Sequence, residues 1–205
     1  MEARFKDGVA ERLAAMRREG QPVRVELGCG PKRAFEGAIT VDRVDLPSVD
    51  VVADMDAGLP FADASVDAIF SSHFLEHVAD LGAFTTEMWR VLAPGGTATH
   101  VVPHFSNPYF YSDYTHRTFF GLYTFNYFSS SSAPFKRRVP HFYNDVDFRV
   151  AEAELRFKSP FKLTNLVRRG VQRLVNLNRR TQEFYEDSLS RLIPAYEIRF
   201  VLVKE

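Results

Sequence analysis

The chain has 205 residues, one cysteine, and 26 basic against 26 acidic side chains. That length buries a full core in one domain without disulfide or metal staples. The zero net charge removes the global field that attracts nucleic acid, and the lone Cys29 cannot close an intramolecular disulfide, which fits a reducing compartment.

Residues 2–19 alternate charged and apolar groups at helical spacing, with Phe5, Val9, Leu13 and Met16 on one side and Gly20 as a stop. Val23–Leu27 reads as a strand running into Gly28-Cys-Gly30. Ala38–Val41 and Val49–Ala53 read as the second and third strands, ending at Asp42 and Asp54. Val66–Phe70 is a fourth, near-continuously apolar as a strand buried on both faces would be. Residues 80–93 predict a helix with Leu81, Phe84, Met88, Val91 and Leu92 on one side. Pro94-Gly-Gly96 stops it and leads into a fifth strand, Thr97–Val102. Strands alternating with helices imply βαβ units and a parallel sheet.

The pattern changes at Pro103. Residues 104–148 carry 15 aromatic side chains and a polar run, Ser129–Ser132, with little periodicity. This predicts an insert on the sheet whose rings mostly cover core and partly form a cleft for a flat or amphipathic acceptor. Ala151–Phe157 resumes as a strand, and Tyr196–Val203 closes the chain as another. Between them, residues 161–180 predict one basic amphipathic helix. Leu163, Leu166, Val167, Val171, Leu174 and Leu177 recur at helical spacing, interspersed with Arg168, Arg169, Arg173, Arg179 and Arg180. The first expectation for this helix is that its apolar face packs on the core. The alternative is contact with an anionic membrane surface or a lipid-linked or phosphorylated acceptor. No apolar run approaches the roughly 18 residues of a membrane span, and residues 1–7 lack the apolar core of a secretory signal. The expected location is cytoplasmic, with the inner membrane surface reached, if at all, through residues 161–180.

The chemistry concentrates at strand ends. Gly28 and Gly30 let the backbone turn tightly and approach a ligand at the carboxyl edge of a parallel sheet. Asp42 ends the next strand, where a carboxylate accepts hydrogen bonds from ribose hydroxyls. Asp54-Met-Asp56 borders the same edge. A dinucleotide site would require a third glycine, and Pro31-Lys-Arg33 follows instead. The acidic edge also suits a cationic sulfonium better than phosphates.

Several segments in order carry a resemblance: Glu26-Leu-Gly-Cys-Gly30, Val41-Asp42, Leu59-Pro-Phe61 through Asp67, Leu75-Glu-His-Val78 and Trp89 through Gly96. Together they resemble the class I, Rossmann-like S-adenosylmethionine-dependent methyltransferases, over residues 23–103. The resemblance implies an α/β fold: a seven-stranded, mostly parallel sheet with helices on both faces and the aromatic insert after the fifth strand. It implies one domain over 1–205, with a cofactor-binding half at 23–103, an acceptor region at 104–148 and C-terminal strands with the basic helix at 149–205. S-adenosylmethionine is the implied cofactor. Gly28 and Gly30 would approach its amino-acid part beside Glu26, and Asp42 would hold the ribose. Asp54 and Met55 would lie by the adenine, and Ser71 or Ser72 by the methionine part. His73 falls just beyond the fourth strand, where the transferred methyl should point. One departure from the pattern is the short link between Gly30 and the second strand, which leaves little room for the usual first helix.

All six histidines fall between positions 73 and 141. His77 is read as structural or cofactor-adjacent. His104, Asp113 and His116 are the candidates for deprotonating an acceptor hydroxyl, against the alternative that Asp113 and His116 cap a helix or pair with Arg117. No metal site is expected, because no paired ligand motif with tight helical spacing appears. Asn107-Pro108, Asp113-Tyr-Thr-His-Arg117, Tyr185-Glu186 and Leu192–Ala195 resemble a group of these enzymes associated with glycan and polysaccharide biosynthesis. The expected reaction is O-methylation of a sugar or glycan precursor, with no nucleic-acid partner. The alternatives are a methyltransferase of a small metabolite or lipid, and a non-catalytic cofactor-binding module that regulates a partner.

Overall fold

The computed structural model describes residues 3–130, 135–140 and 142–205. Ser131 and Ser132 of the polar run, and His141, lie outside the described residues. The chain forms an eight-stranded sheet in which β1 (Arg4–Phe5), β2 (Arg24–Leu27), β3 (Ile39–Asp42), β4 (Val51–Val52), β5 (Val66–Ser72), β6 (Leu92–Pro103), β7 (Phe148–Arg156) and β8 (Glu197–Lys204) take the order β1-β4-β3-β2-β5-β6-β8-β7. Strands β2 to β6 are mutually parallel, and β8 runs antiparallel to both β6 and β7. The Rossmann-like α/β class is the expected one; the strand count is eight, not seven. The additional strand is β1, whose Arg4 and Phe5 pair antiparallel with Val52 and Val51. Residues 2–19 are therefore not one helix. Gly8, at φ 77°, separates β1 from α1 (Val9–Arg18).

The chain runs outward from β2 to β3 and β4, then returns to the other side of β2 as β5 and β6. This reversal opens a crevice at the carboxyl ends of β2, β3 and β5, where open α/β sheets bind ligands. Val25, Leu27, Ile39, Val41, Val51 and Ile69 are all buried beneath it. Such burial on neighbouring parallel strands is what near-continuous apolar runs anticipate.

Helix α2 (Leu81–Val91) starts at Asp80, whose carboxylate accepts the amide of Ala83 at 3.0 Å, and it buries Phe84, Met88 and Val91 as the spacing predicts. Pro94-Gly-Gly96 does not precede the next strand but lies inside it. β6 begins at Leu92, and its pairing with β5 skips from Leu92 to Thr97, so the tripeptide forms an irregularity in a 12-residue strand.

In the insert, Phe110, Phe120, Phe125, Phe128 and Phe135 are buried, while Tyr111, Tyr114, Phe119, Phe142 and Tyr143 are exposed. The predicted single helix over 161–180 is two helices, α3 (Lys162–Val175) and α4 (Arg179–Phe184). Asn178 separates them by capping α4: its side chain accepts the amide of Thr181 while Thr181 Oγ1 accepts the amide of Asn178. Only Val171 of the predicted apolar face packs on the core, beside Val175, while Leu163, Leu166, Val167, Leu174 and Leu177 are exposed. Of the residues of α3 only Val175 is buried.

Candidate functional site

The crevice at the strand ends contains a pocket of about 270 Å³. β2 delivers Gly28 to its wall at φ 66°, and a Cβ there would sit 2.7 Å from the Phe74 ring. Both the left-handed backbone and the close ring require glycine at this position. β3 delivers Asp42. Its Oδ2 accepts the amide of Gly30 at 2.9 Å and its Oδ1 that of Val44 at 3.0 Å, so the carboxylate is locked in place with lone pairs remaining on each oxygen. Asp54 caps the 3₁₀ turn Met55–Ala57 by accepting the amide of Asp56, and Asp56 accepts the amide of Ala79 at 2.9 Å. Asp42, Asp54, Met55 and Asp56 all line the pocket, with Arg43 at the same edge.

His73 enters the wall directly after β5 at φ 53°, in the left-handed region that a non-glycine residue rarely occupies. Its Nε2 lies 3.3 Å from Glu197 and its Nδ1 lies 3.3 Å from the fully buried Glu76. The Glu197 contact, followed by that of Glu76, raises the imidazole to about 9, so it is a cation at neutral pH. Burial alone would raise Glu197, but His73 and Lys158, the latter at 2.8 Å, hold it down at about 2. With Glu197 ionised beside it, the charge of His73 is already countered, and Asp42, Asp54 and Asp56 keep the pocket wall acidic.

The remaining cofactor candidates lie elsewhere. The Glu26 carboxylate is buried and accepts the amides of Ala34 and Phe35 at 3.0–3.2 Å, stapling the loop after Gly30 without lining the pocket. Gly30 likewise turns the chain behind the wall, through its bond to Asp42. Ser71 faces the core, because alternate residues of β5 point to opposite sides. Its hydroxyl meets His100 Nδ1 at 2.8 Å, whereas Ser72 is exposed outside the pocket lining. His100 is wholly buried, and desolvation lowers it to about 3.

Of the three catalytic candidates the structure brings two together. Asp113 and His116 lie 3.6 Å apart, and beside them is His77, whose ring centroid is 4.9 Å from that of His116. Thr115 connects them. Its hydroxyl donates to Asp113 at 2.6 Å and, having one proton, accepts from His77 Nδ1 at 2.9 Å. That assignment leaves the lone pair of His77 on Nε2. In the same way, His116 Nδ1 donates to the Phe110 carbonyl at 2.9 Å, which leaves its Nε2 free to accept. His77 and Thr115 line the pocket. The hydrogen bonds from Thr115 hold Asp113 below the usual carboxylate range.

His104 is elsewhere. β6 carries it, fully buried, to the π-helical turn Tyr185–Leu189, where Nε2 meets Glu186 at 3.1 Å and Nδ1 meets Ser106 at 2.7 Å. It secures the insert to the C-terminal segment and does not line the acidic pocket. Sequence reasoning passed over Thr115 and set His77 aside. The only available signal was two short His-containing segments, 38 residues apart, that the fold makes neighbours.

Among the described residues, Glu76, His77 and His116 place potential ligand atoms within 4.8 Å of one another, a group that the expectation of no metal site did not anticipate. A second, larger groove of about 870 Å³ is lined by Leu81, Trp89, Phe119, Tyr127, Phe128 and Tyr143. Its lining takes residues from the same two segments as the acidic pocket, Asp80 and Leu81 after Val78, and Thr118 and Phe119 after Thr115.

Residues 25–99 match the model of the methyltransferase domain family. Over 30% of this chain, a probable S-adenosylmethionine-dependent methyltransferase of Mycolicibacterium smegmatis is 39% identical, and over 40% a malonyl-[acyl-carrier protein] O-methyltransferase of Erwinia billingiae is 35% identical. The matches span 24% and 39% of those relatives. A solved S-adenosylmethionine-dependent methyltransferase of Archaeoglobus fulgidus superposes over 96% of this chain and 94% of its own, with a TM-score of 0.54 at 18% identity. That likeness establishes the fold.

Proposed function

We propose, from the methyltransferase fold and the acidic pocket at its switch point, that this chain is an S-adenosylmethionine-dependent methyltransferase acting on an oxygen of a sugar or glycan precursor. The single observation that carries the cofactor assignment is the pocket wall: a glycine cradle at Gly28 with the Asp42, Asp54 and Asp56 carboxylates around it. S-adenosylmethionine supplies an electrophilic methyl group on a sulfonium, whose positive charge suits that wall. Asp42 offers its remaining lone pairs to the ribose hydroxyls, and Asp54 with Met55 flanks the base.

The acceptor lies in the aromatic groove lined by Phe119, Tyr127 and Tyr143, side chains of the kind that stack on sugars. His77 is the base. Its Nε2 is placed to accept the proton of an acceptor hydroxyl, and the cofactor, held by Gly28, Asp42, Asp54 and Met55, would supply the methyl group to that oxygen. The Asp113–Thr115 relay stabilises the resulting imidazolium through Nδ1, and His116 positions the ring from the side. His73 is excluded as the base, since it already carries a proton at neutral pH.

A carboxylate acceptor, which the name of the Erwinia relative implies for that protein, would need no base; the effect of His77→Gln separates the two cases. Calorimetric titration with S-adenosylmethionine and S-adenosylhomocysteine, beside Asp42→Ala, tests the cofactor assignment. Micromolar binding that weakens about a hundredfold in the variant, the loss of two hydrogen bonds to a charged group, supports it. Absence of binding by the wild type would overturn it.

A further inference from the structure

Helix α3 is built inside out. Its inner face carries Asn165, Arg168, Gln172 and Val175, recurring at helical spacing and continued by Asn176. Of these, the polar side chains bond the backbone that follows or ends β7. Asn165 accepts the amide of Ser159, Arg168 donates to the Lys158 carbonyl, and Gln172 accepts the amide of Phe157. Asn176 both accepts the amide of Leu155 and donates to its carbonyl. The helix is thus held to the protein by these polar contacts together with Val171 and Val175, which pack on the core.

Its remaining apolar side chains, all but Val171 and Val175, face outward. Phe161, Leu163, Leu166, Val167, Leu174 and Leu177 are between 65% and 84% exposed. A run of this kind on an ordinary surface helix faces the core, and contiguous exposed apolar patches mark an interaction site.

The charges choose the occupant. From Lys158 to Gln182 there are seven basic residues and no acidic one, in a chain whose total charge is zero. Lys162, Arg169, Arg173 and Arg180 are exposed and make no ion pair among the described residues. A second copy meeting this face symmetrically would set cations against cations. A bilayer with anionic headgroups instead takes the leucines into the acyl boundary and pairs the flanking arginines with phosphates. No helix among the described residues is long and apolar enough to cross a membrane, so the segment would lie on the surface.

We propose that α3, with its flanking Phe161 and Leu177, is a peripheral membrane anchor selective for anionic lipid. The attachment is independent of the methyl-transfer assignment and stands or falls by itself.

The experiment is co-sedimentation of the full chain with phosphatidylcholine vesicles, with and without phosphatidylglycerol. Binding is expected only to the mixed vesicles and should weaken as salt is raised. Replacing both Arg169 and Arg173 with Gln should weaken it about thirtyfold, at roughly 1 kcal/mol per cation near the surface. Replacing both Leu166 and Leu174 with Ser should weaken it by at least about tenfold. All four side chains are exposed, so circular dichroism of both variants should match the wild type. Failure to bind mixed vesicles, equal binding to neutral ones, or binding unchanged in both folded variants would overturn the proposal. So would a dimer that the leucine variant dissolves, which would assign the face to a second copy.

Discussion

His73 Nε2 lies 3.3 Å from Glu197 Oε2, so the residue that follows β5 is joined to the first residue of β8 across the end of β6. The pair closes one side of the acidic pocket and fixes the charge of its wall. Because His73 is raised from 6.5 to about 9 in the folded chain, it binds its proton more tightly there than in the unfolded chain. The stabilisation is therefore complete below 6.5 and is lost as pH rises through 9. Thermal unfolding should show a melting temperature that falls across this window. Glu197→Gln should flatten the fall, and an unchanged slope in that variant would assign the titration to another group.

His100 gives the opposite limb. It is neutral and wholly buried between Ser71 and Met88, with its titration lowered from 6.5 to about 3. The unfolded chain takes up a proton that the folded chain refuses, so stability is present above 6.5 and drains as pH falls below it. At about pH 5 the loss is about 2 kcal/mol. Urea unfolding of wild type and His100→Asn at both ends of the window measures it, and the variant should lose most of the acid dependence.

The base assignment separates two histidines that look alike in sequence. His77→Gln should lower kcat by about 10² to 10⁴, the usual worth of a positioned base, while cofactor affinity stays within about threefold of wild type. His104→Ala should do the reverse, lowering the melting temperature because Glu186 and Ser106 lose their buried partner. Its turnover per folded molecule should be retained. If His104→Ala abolishes turnover in folded protein, the base belongs there instead.

Gly28→Ala combines an unfavourable φ of 66° with a Cβ placed 2.7 Å from the Phe74 ring. We expect a loss of about 1–3 kcal/mol in stability together with weakened cofactor binding. The double variant Gly28→Ala, Phe74→Ala relieves the clash but not the backbone. Recovery of binding in the double variant would trace the loss to the ring clash; persistent weakness would trace it to the backbone. Differential scanning calorimetry and titration read the two effects together.

The wall of the acidic pocket was legible because its groups sit where short apolar strands stop. Gly28 after β2 and Asp42 at the end of β3 are placed by the chain itself, with no distant partner required. The contact of His77 with Thr115 was not legible, since the two belong to different segments and meet only after the insert folds back beside the turn that follows β5. Ser71 and Ser72 show a smaller failure of the same kind. A strand alternates faces, and a pair of serines at its end does not reveal which one points to the core. Helix α3 shows the largest. Periodicity establishes that a helix has two unlike faces but carries no sign for which is inside, and here Asn165, Gln172 and Asn176 claimed the inside through hydrogen bonds that hydrophobic spacing does not register.

The unbroken positive run from Lys158 to Gln182 also changes the meaning of the neutral total. With seven cations gathered in one segment, the rest of the chain is formally seven charges negative when histidines are counted neutral. A chain whose composition sets its isoelectric point at about 7.0 is in this respect unevenly charged and not an uncharged particle. Its colloidal behaviour at neutral pH should follow from that asymmetry, with retention on cation- and anion-exchange resins alike and attraction between opposite ends of neighbouring molecules at low ionic strength.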